Sequence, residues 1–260
     1  MKITVLIENT ALREDLAAEH GLSLYIETKD RTILFDAGQT GAFADNAEKL
    51  GIDLNKVDVC ILSHGHYDHG GGLKRFLEIN GHAPVYLSRH AFGAYFSSET
   101  YIGLDPALER NPRLIPVGDV LELAQGLTLC SCNDSPRPFA FGVFGQTVRQ
   151  NGVHSDDRYL HEQYLLLEEG GKKYCFSGCS HKGVLNILHW FRPDVFFGGF
   201  HFIRMVPDGR ELEDAARQLV QFPARYFTGH CTGREQYAVL KQHLGERLEY
   251  LSTGTAIELQ

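Results

Sequence analysis

Apolar residues open the chain in short runs. Positions 2–8, 22–27 and 31–36 are rich in Ile, Leu, Val, Tyr and Phe and are separated by polar or glycine-containing stretches, a pattern that predicts three early strands. From Ala42 the spacing changes. Phe43, Ala47 and Leu50 recur at helical intervals with Gly51 just beyond, which predicts a helix over 42–50 with a glycine stop. A nearly continuous apolar run over 57–63 reads as a buried strand, followed by a helix near 73–79, a strand at 85–88 and strands near 114–117 and 127–131.

Residues 133–160 break this rhythm. They begin Asn133-Asp134-Ser135-Pro136-Arg137-Pro138 and continue without a sustained period, which predicts a long loop of the kind that is often functional. Two strands follow at 163–168 and 172–177, linked by the hairpin-like Glu168-Glu169-Gly170-Gly171. Helix and strand then alternate: helix 184–191, strand 195–199, helix 211–222, strand 225–228 and helix 235–244. No internal repeat or low-complexity linker divides the sequence, so one domain over 1–260 is expected.

Composition narrows the function classes. Hydrophobic residues make up 43% and charged residues 22%, ordinary for a chain that buries a full core. A net charge of −8 argues against a surface built to neutralise a nucleic-acid backbone, while leaving room for a local basic pocket that takes one small anion. Met1 to Glu8 turns polar too early for a signal peptide, and no apolar run approaches the roughly 20 residues of a membrane helix. The expectation is a soluble, cytoplasmic protein without membrane contact. Six scattered cysteines lack the spacing of a disulfide framework, and Cys60 and Cys175, inside strand-like runs, read as buried thiols.

The chemistry concentrates after the apolar run, in His64-Gly65-His66-Tyr67-Asp68-His69. Three imidazoles and a carboxylate within six residues offer the nitrogen and oxygen donors that zinc-class ions bind at about 2.0–2.2 Å. A solvated turn has no use for that density of donors. Gly70-Gly71-Gly72 then lets the chain turn before Leu73 enters its helix.

His64-x-His66-x-Asp68-His69 behind a hydrophobic strand resembles the signature of the metallo-β-lactamase superfamily, and Ile33-Leu34-Phe35-Asp36-Ala37-Gly38 resembles its early strand ending in Asp and Gly. Further segments resemble the subgroup of the dihydropterin–ribofuranosylaminobenzene phosphate synthases: Glu19-His20-Gly21-Leu22-Ser23, His161-Glu162-Gln163, Ser177-Gly178-Cys179-Ser180-His181, Gly198-Gly199-Phe200-His201 and His230-Cys231-Thr232-Gly233. The resemblance implies an α/β fold, an αββα sandwich of two mixed β-sheets flanked by helices. It also implies a dinuclear centre, with zinc expected and manganese or iron as alternatives.

On that resemblance His64, His66 and His161 surround one ion, and Asp68, His69 and His230 the other. The sequence departs from the superfamily at the bridge, where Gly178-Cys179 stands in place of Gly-Asp. Either a Cys179 thiolate ligates a borderline metal or His181 reaches in instead. Asp36 is expected to organise hydrogen bonds behind the ligands.

The expected activity is hydrolysis of a small, phosphorylated substrate by metal-activated water, with Asp68 orienting the water and His181 acting beside it. His201 and Lys182 are the expected substrate contacts. Two alternatives remain: transfer of a dihydropterin from its diphosphate to an aromatic ribofuranosyl phosphate, which the subgroup implies, and a metal or thiol sensor without turnover, suggested by Cys179 and Cys231.

Overall fold

The computed structural model describes residues 1–140 and 145–259. Residues 141–144, part of the expected 133–160 loop, lie outside the described set. The first half runs β1 (Lys2–Ile7), β2 (Ser23–Glu27), β3 (Thr32–Phe35), α1 (Ala42–Lys49), β4 (Val59–Ile61), α2 (Tyr67–Gly70), α3 (Leu73–Ile79), β5 (Val85–Ser88), β6 (Ala94–Ser97), β7 (Thr100–Tyr101), β8 (Leu114–Val117), β9 (Val120–Ala124) and β10 (Leu127–Cys130). The second half runs β11 (Gln146–Gln150), β12 (Val153–Asp156), β13 (Tyr164–Glu169), β14 (Lys172–Phe176), α4 (Val184–Phe191), β15 (Val195–Phe197), α5 (Arg210–Val220), β16 (Arg225–Thr228), α6 (Arg234–Leu244), β17 (Leu248–Tyr250) and β18 (Ala256–Glu258).

Two seven-stranded mixed sheets form, ordered β18-β1-β2-β3-β4-β5-β8 and β17-β16-β15-β14-β13-β10-β9. The alternation of side chains along each strand explains why they stack. Leu24, Ile26, Ile33 and Phe35 from the first sheet meet Leu165, Leu167, Tyr174 and Phe176 from the second in one buried cluster. The intervening Tyr25 and Leu34 point the other way, under α1 and α3, where they join Phe43, Ala47, Leu73 and Phe76. On the far side Cys175, Phe196 and Tyr226 are covered by Ile187, Leu188, Leu212, Ala216 and Leu240 of α4, α5 and α6. Both faces of the central strands are therefore dry, which is why several of them read as unbroken apolar runs. The layers are helix, sheet, sheet, helix.

Parallel pairing fixes where the loops emerge. Strands β14, β15 and β16 run in register, so Phe176, Phe197 and Phe227 stack with ring centroids 4.8 and 4.7 Å apart. The segments that leave their carboxyl ends begin at Ser177, Gly198 and Gly229, beside those that leave β3 and β4, and ligands in α/β folds favour such strand ends. The last strand closes the first sheet, because β18 pairs antiparallel with β1 and Thr253 bridges to Ala11.

The 133–160 stretch differs from expectation. It contains the β11–β12 hairpin, whose β11 pairs with β6, itself paired with β7, in a four-stranded antiparallel sheet. Its strands are polar and largely exposed on β12, so they lack the apolar signal that revealed the others. Among the described residues no helix is long and apolar enough to cross a membrane.

Candidate metal centre

The run from His64 to His69 leaves β4 along a path that only glycine permits at position 65, where a Cβ would collide with the carbonyl of Ala91. His66 caps α2, which carries Asp68 and His69 inward. All four donor residues of the run are buried.

Asp36, at the end of β3, ties the run down. Its Oδ1 accepts the Ser63 backbone N–H at 2.7 Å, and its Oδ2 accepts the Ser63 hydroxyl and lies 2.7 Å from His69 Nδ1. Ser63 Oγ in turn lies 2.8 Å from His64 Nδ1. One fully buried carboxylate thereby orients two imidazoles and leaves the Nε2 of each facing inward. Asp36 holds a left-handed backbone, φ 60°, an unfavourable conformation sustained by these contacts.

The second half supplies the opposing groups. Gly178 lets the end of β14 approach closely, since a Cβ there would strike Ser63 Oγ and His64 Nδ1. Cys179 then lies 3.2 Å from His69 Nε2, and His181 Nε2 lies 3.2 Å from His64 Nε2. His230 arrives after β16 with its Nε2 3.1 Å from His69 Nε2 and 3.3 Å from Asp68 Oδ2. It is fixed from the end of β1: Glu8 accepts its backbone N–H, and Asn9 Oδ1 lies 2.9 Å from its Nδ1.

Donor atoms of Asp68, His69, Cys179 and His230 lie within 4.8 Å of one another, and so do those of His64, Cys179 and His181, and of His64, His66 and Asp68. Cys179 belongs to both of the first two groups. Tetrahedral ligands at bond lengths of about 2.0–2.3 Å stand about 3.3–3.7 Å apart, which matches these spacings. The buried His66 Nε2 has no hydrogen-bond partner among the described residues, as expected where a cation completes a donor set. The residues fit divalent ions.

Electrostatics agree. Burial pushes the imidazolium form of His64 well below its ordinary range, helped by His69 and His66, and does the same to His181, helped by His201 and His64. His66 falls to about 3, from burial and then from His161. Neutral imidazoles are what a metal requires. His69 is the exception: burial opposes its charge, but Asp68 and Asp36 outweigh it and raise it to about 9. Burial likewise opposes ionisation of Asp68, and His69 together with hydrogen bonds from His20 and His230 overcomes it, holding the carboxyl well below its usual range.

His161 and Lys182 stand apart from the donors nearest His64. His161 has both nitrogens engaged, Nδ1 accepting the Gly65 N–H at 3.0 Å and Nε2 3.0 Å from Asp157. It groups with His66 and Asp157, while the nitrogen that faces His64 belongs to His181, which thus takes a donor's place beside Cys179. Lys182 does not enter the cleft: it is buried, and its Nζ donates to the carbonyls of Ser131 and Glu162 at 2.6 and 2.8 Å. A buried ammonium must satisfy its donors, and two carbonyls on the far side of the 177–183 turn do so. Burial first of all lowers Lys182 to about 8. His201 lines the cleft, its ring 4.4 Å from that of His181.

Sequence reasoning gave no role to His20, whose Nε2 lies 3.3 Å from Asp68 Oδ2, nor to Glu8, Asn9, Asp157 or Arg204. The one available signal for His20 was its place in Glu19-His20-Gly21-Leu22-Ser23. Of the donors, His66, Asp68, Cys179, His181 and His230 line a cleft of about 390 Å³, together with Tyr67, Ser97, Ile102, Gln146, Ile203 and Arg204. A larger cavity of about 580 Å³ between α4 and α5 has no histidine or cysteine in its lining and plays no part in this centre.

Such a sandwich, with its donors at one edge between the sheets, is the metallo-β-lactamase fold, and the model of the metallo-beta-lactamase superfamily matches residues 17–127. Two curated proteins of Methanocaldococcus jannaschii are similar to this chain along nearly all its length. Uncharacterized protein MJ0448 is 28% identical over 254 residues, 92% of this chain and 94% of that one. The 7,8-dihydropterin-6-methyl-4-(beta-D-ribofuranosyl)-aminobenzene-5'-phosphate synthase is 26% identical over 288 residues, 99% of this chain and 96% of that one. Among solved structures, Tm1679, described as a metal-dependent hydrolase of the beta-lactamase superfamily, superimposes with a TM-score of 0.83 at 28% identity, covering 100% of this chain and 99% of that one.

Proposed function

We propose that the protein is a metal-dependent hydrolase that uses two zinc-class ions to cleave a small, phosphorylated substrate. The observation that carries this reading is that Cys179, in the lining of one small cleft, stands within donor range both of Asp68, His69 and His230 and of His64 and His181. Divalent ions held there supply Lewis acidity, polarising a phosphoryl oxygen and making water acidic enough to lose a proton near neutral pH.

The chain's own residues do the rest. Asp68 is the carboxylate among the cleft-lining residues, and His20 and His230, each 3.3 Å from its Oδ2, hold that oxygen where it can orient the attacking water. His201 stands in the wall beside the donors, where its ring can steady negative charge on the substrate. The cleft volume suits a small molecule rather than a polymer.

Loading the protein with zinc, manganese or iron and offering bis(4-nitrophenyl) phosphate tests this: metal-dependent release of nitrophenol is expected, with two ions bound per chain. A protein that binds ions but cleaves no phosphoester, ester or amide in a broad panel is not this hydrolase. Likeness to the synthase over 99% of the chain favours a second reading, transfer rather than hydrolysis. Incubation with a dihydropterin diphosphate and an aromatic ribofuranosyl phosphate separates the two, since only a transferase yields a joined product.

A further inference from the structure

Cys231 takes no part in the two donor groups that share Cys179 with zinc, yet its sulfur, the Cys179 sulfur and a ring nitrogen of His201 all lie within 4.8 Å of one another. The three side chains are buried and all line the cleft, which gives an ion a way in. A glycine makes their meeting possible. Gly199 follows β15, the strand between β14 and β16, and a Cβ there would collide with Cys231 Sγ. With no side chain at that position, Cys231 reaches from beyond β16 towards Cys179 beyond β14.

Backbone contacts lock the three turns together. Gly199 N–H donates to Gly178 O at 2.8 Å, Phe200 N–H to Thr232 Oγ1 at 2.9 Å and Ile203 N–H to Cys231 O at 3.0 Å. Cys231 Sγ donates to Cys179 O at 3.5 Å, and hydrogen bonds join its sulfur to the side chains of Cys179 and His201. The donor types set this group apart. Those around His69 and His64 each combine one sulfur with nitrogen, or with nitrogen and oxygen, whereas this one offers two sulfurs and one nitrogen. Two thiolates and an imidazole are a donor set for a thiophilic ion of low coordination number.

We propose that Cys179, Cys231 and His201 form a third ion site, selective for a thiophilic cation of the copper(I) class. On filling, each thiol gives its proton to solvent, and a lone pair from each sulfur and from the imidazole forms a bond to the ion. Cys179 stands also in both zinc groups, so a soft ion at this site competes with zinc for it. The site goes beyond the hydrolase reading and rests on it only for the two zinc ions with which it competes.

Anaerobic titration of zinc-loaded protein with copper(I) against the competing chelator bicinchoninate, followed by X-ray absorption at the copper edge, provides the test. One copper per chain is expected, with two sulfur neighbours and a nitrogen, and with zinc held more weakly once copper has entered. Cys231→Ser is expected to keep its zinc and to weaken copper binding by more than the roughly 100-fold that loss of a residue behind the ligands can cost. Cys132→Ser, which breaks the hydrogen-bonded thiol pair with Cys130, is expected to leave copper binding as it was. No copper on the wild type, fewer than two sulfur neighbours, equal affinity in Cys231→Ser, zinc loss from folded Cys231→Ser, or copper loss on Cys132→Ser overturns the proposal. Should Cys231→Ser fail to fold, the sulfur count in the wild type and in Cys132→Ser still decides. A protein that takes this copper but never two zinc ions refutes the hydrolase reading alone, and a zinc hydrolase indifferent to copper refutes this one alone.

Discussion

The donors come from two regions built on opposite principles. His64, His66, Asp68 and His69 occupy six consecutive residues between β4 and the end of α2, and their spacing follows from local backbone geometry. Cys179, His181 and His230 come from separate turns, and only the register of β14 and β16, the approach at Gly178 and a tether from Glu8 and Asn9 bring them into range. The difference teaches where the centre is vulnerable. The contiguous side depends on a few neighbours, whereas the dispersed side depends on the whole second sheet and on residues more than 200 positions away.

The sharpest break in that comparison is His69→Ala, because His69 touches Cys179, His230 and Asp68 and so joins the two sides. Loss of one ion and of about 10²–10³-fold in hydrolysis is expected, the scale of removing a preorganised electrostatic contact, as read by metal analysis and kcat. Cys179→Ser and Cys179→Asp come next. The serine variant should lose metal, and the aspartate variant should retain it while shifting preference from cadmium and zinc towards manganese, as competition titrations would reveal.

Residues behind the ligands should matter less but separately. Asp36→Asn is expected to cost about 10–100-fold in metal affinity on the contiguous side, and Asn9→Ala about 10-fold on the dispersed side, measured by equilibrium dialysis. If Asn9→Ala left affinity untouched, the dispersed side would not need its tether. The smallest effect is expected from Phe197→Leu, which loosens the Phe176–Phe197–Phe227 stack. It should cost about 1–1.5 kcal/mol in denaturant unfolding and leave metal content as it was.

The sequence disclosed the two regions unequally, and for the same physical reason. Local periodicity placed the buried strands and most helices, and the density of His and Asp marked the contiguous donors. Strands β11 and β12 escaped because their exposed faces carry polar residues, and β18 because a three-residue closing strand has little pattern of its own. His161 and His181 both precede or follow strands in donor-like positions, and which of them faces His64 is decided by Asp157 and Gly65, contacts invisible along the chain. Lys182 illustrates the same limit. Adjacent in sequence to a donor, it serves the opposite side of the turn, because Ser131 and Glu162 offer carbonyls there.

The pairing of β18 with β1, and of Thr253 with Ala11, has a consequence for the order in which the protein is made. His230 rests on Glu8, and Glu8 is itself engaged by Thr253, whose hydroxyl accepts the Glu8 backbone N–H at 2.8 Å. During synthesis the histidine-rich run emerges early, yet the first sheet lacks its outer strand, and His230 its full support, until residues 253–258 have left the ribosome. Ion capture at the complete donor set therefore waits for Thr253 and β18, and a nascent chain stalled before residue 253 would expose its first histidines without the means to close around what they bind.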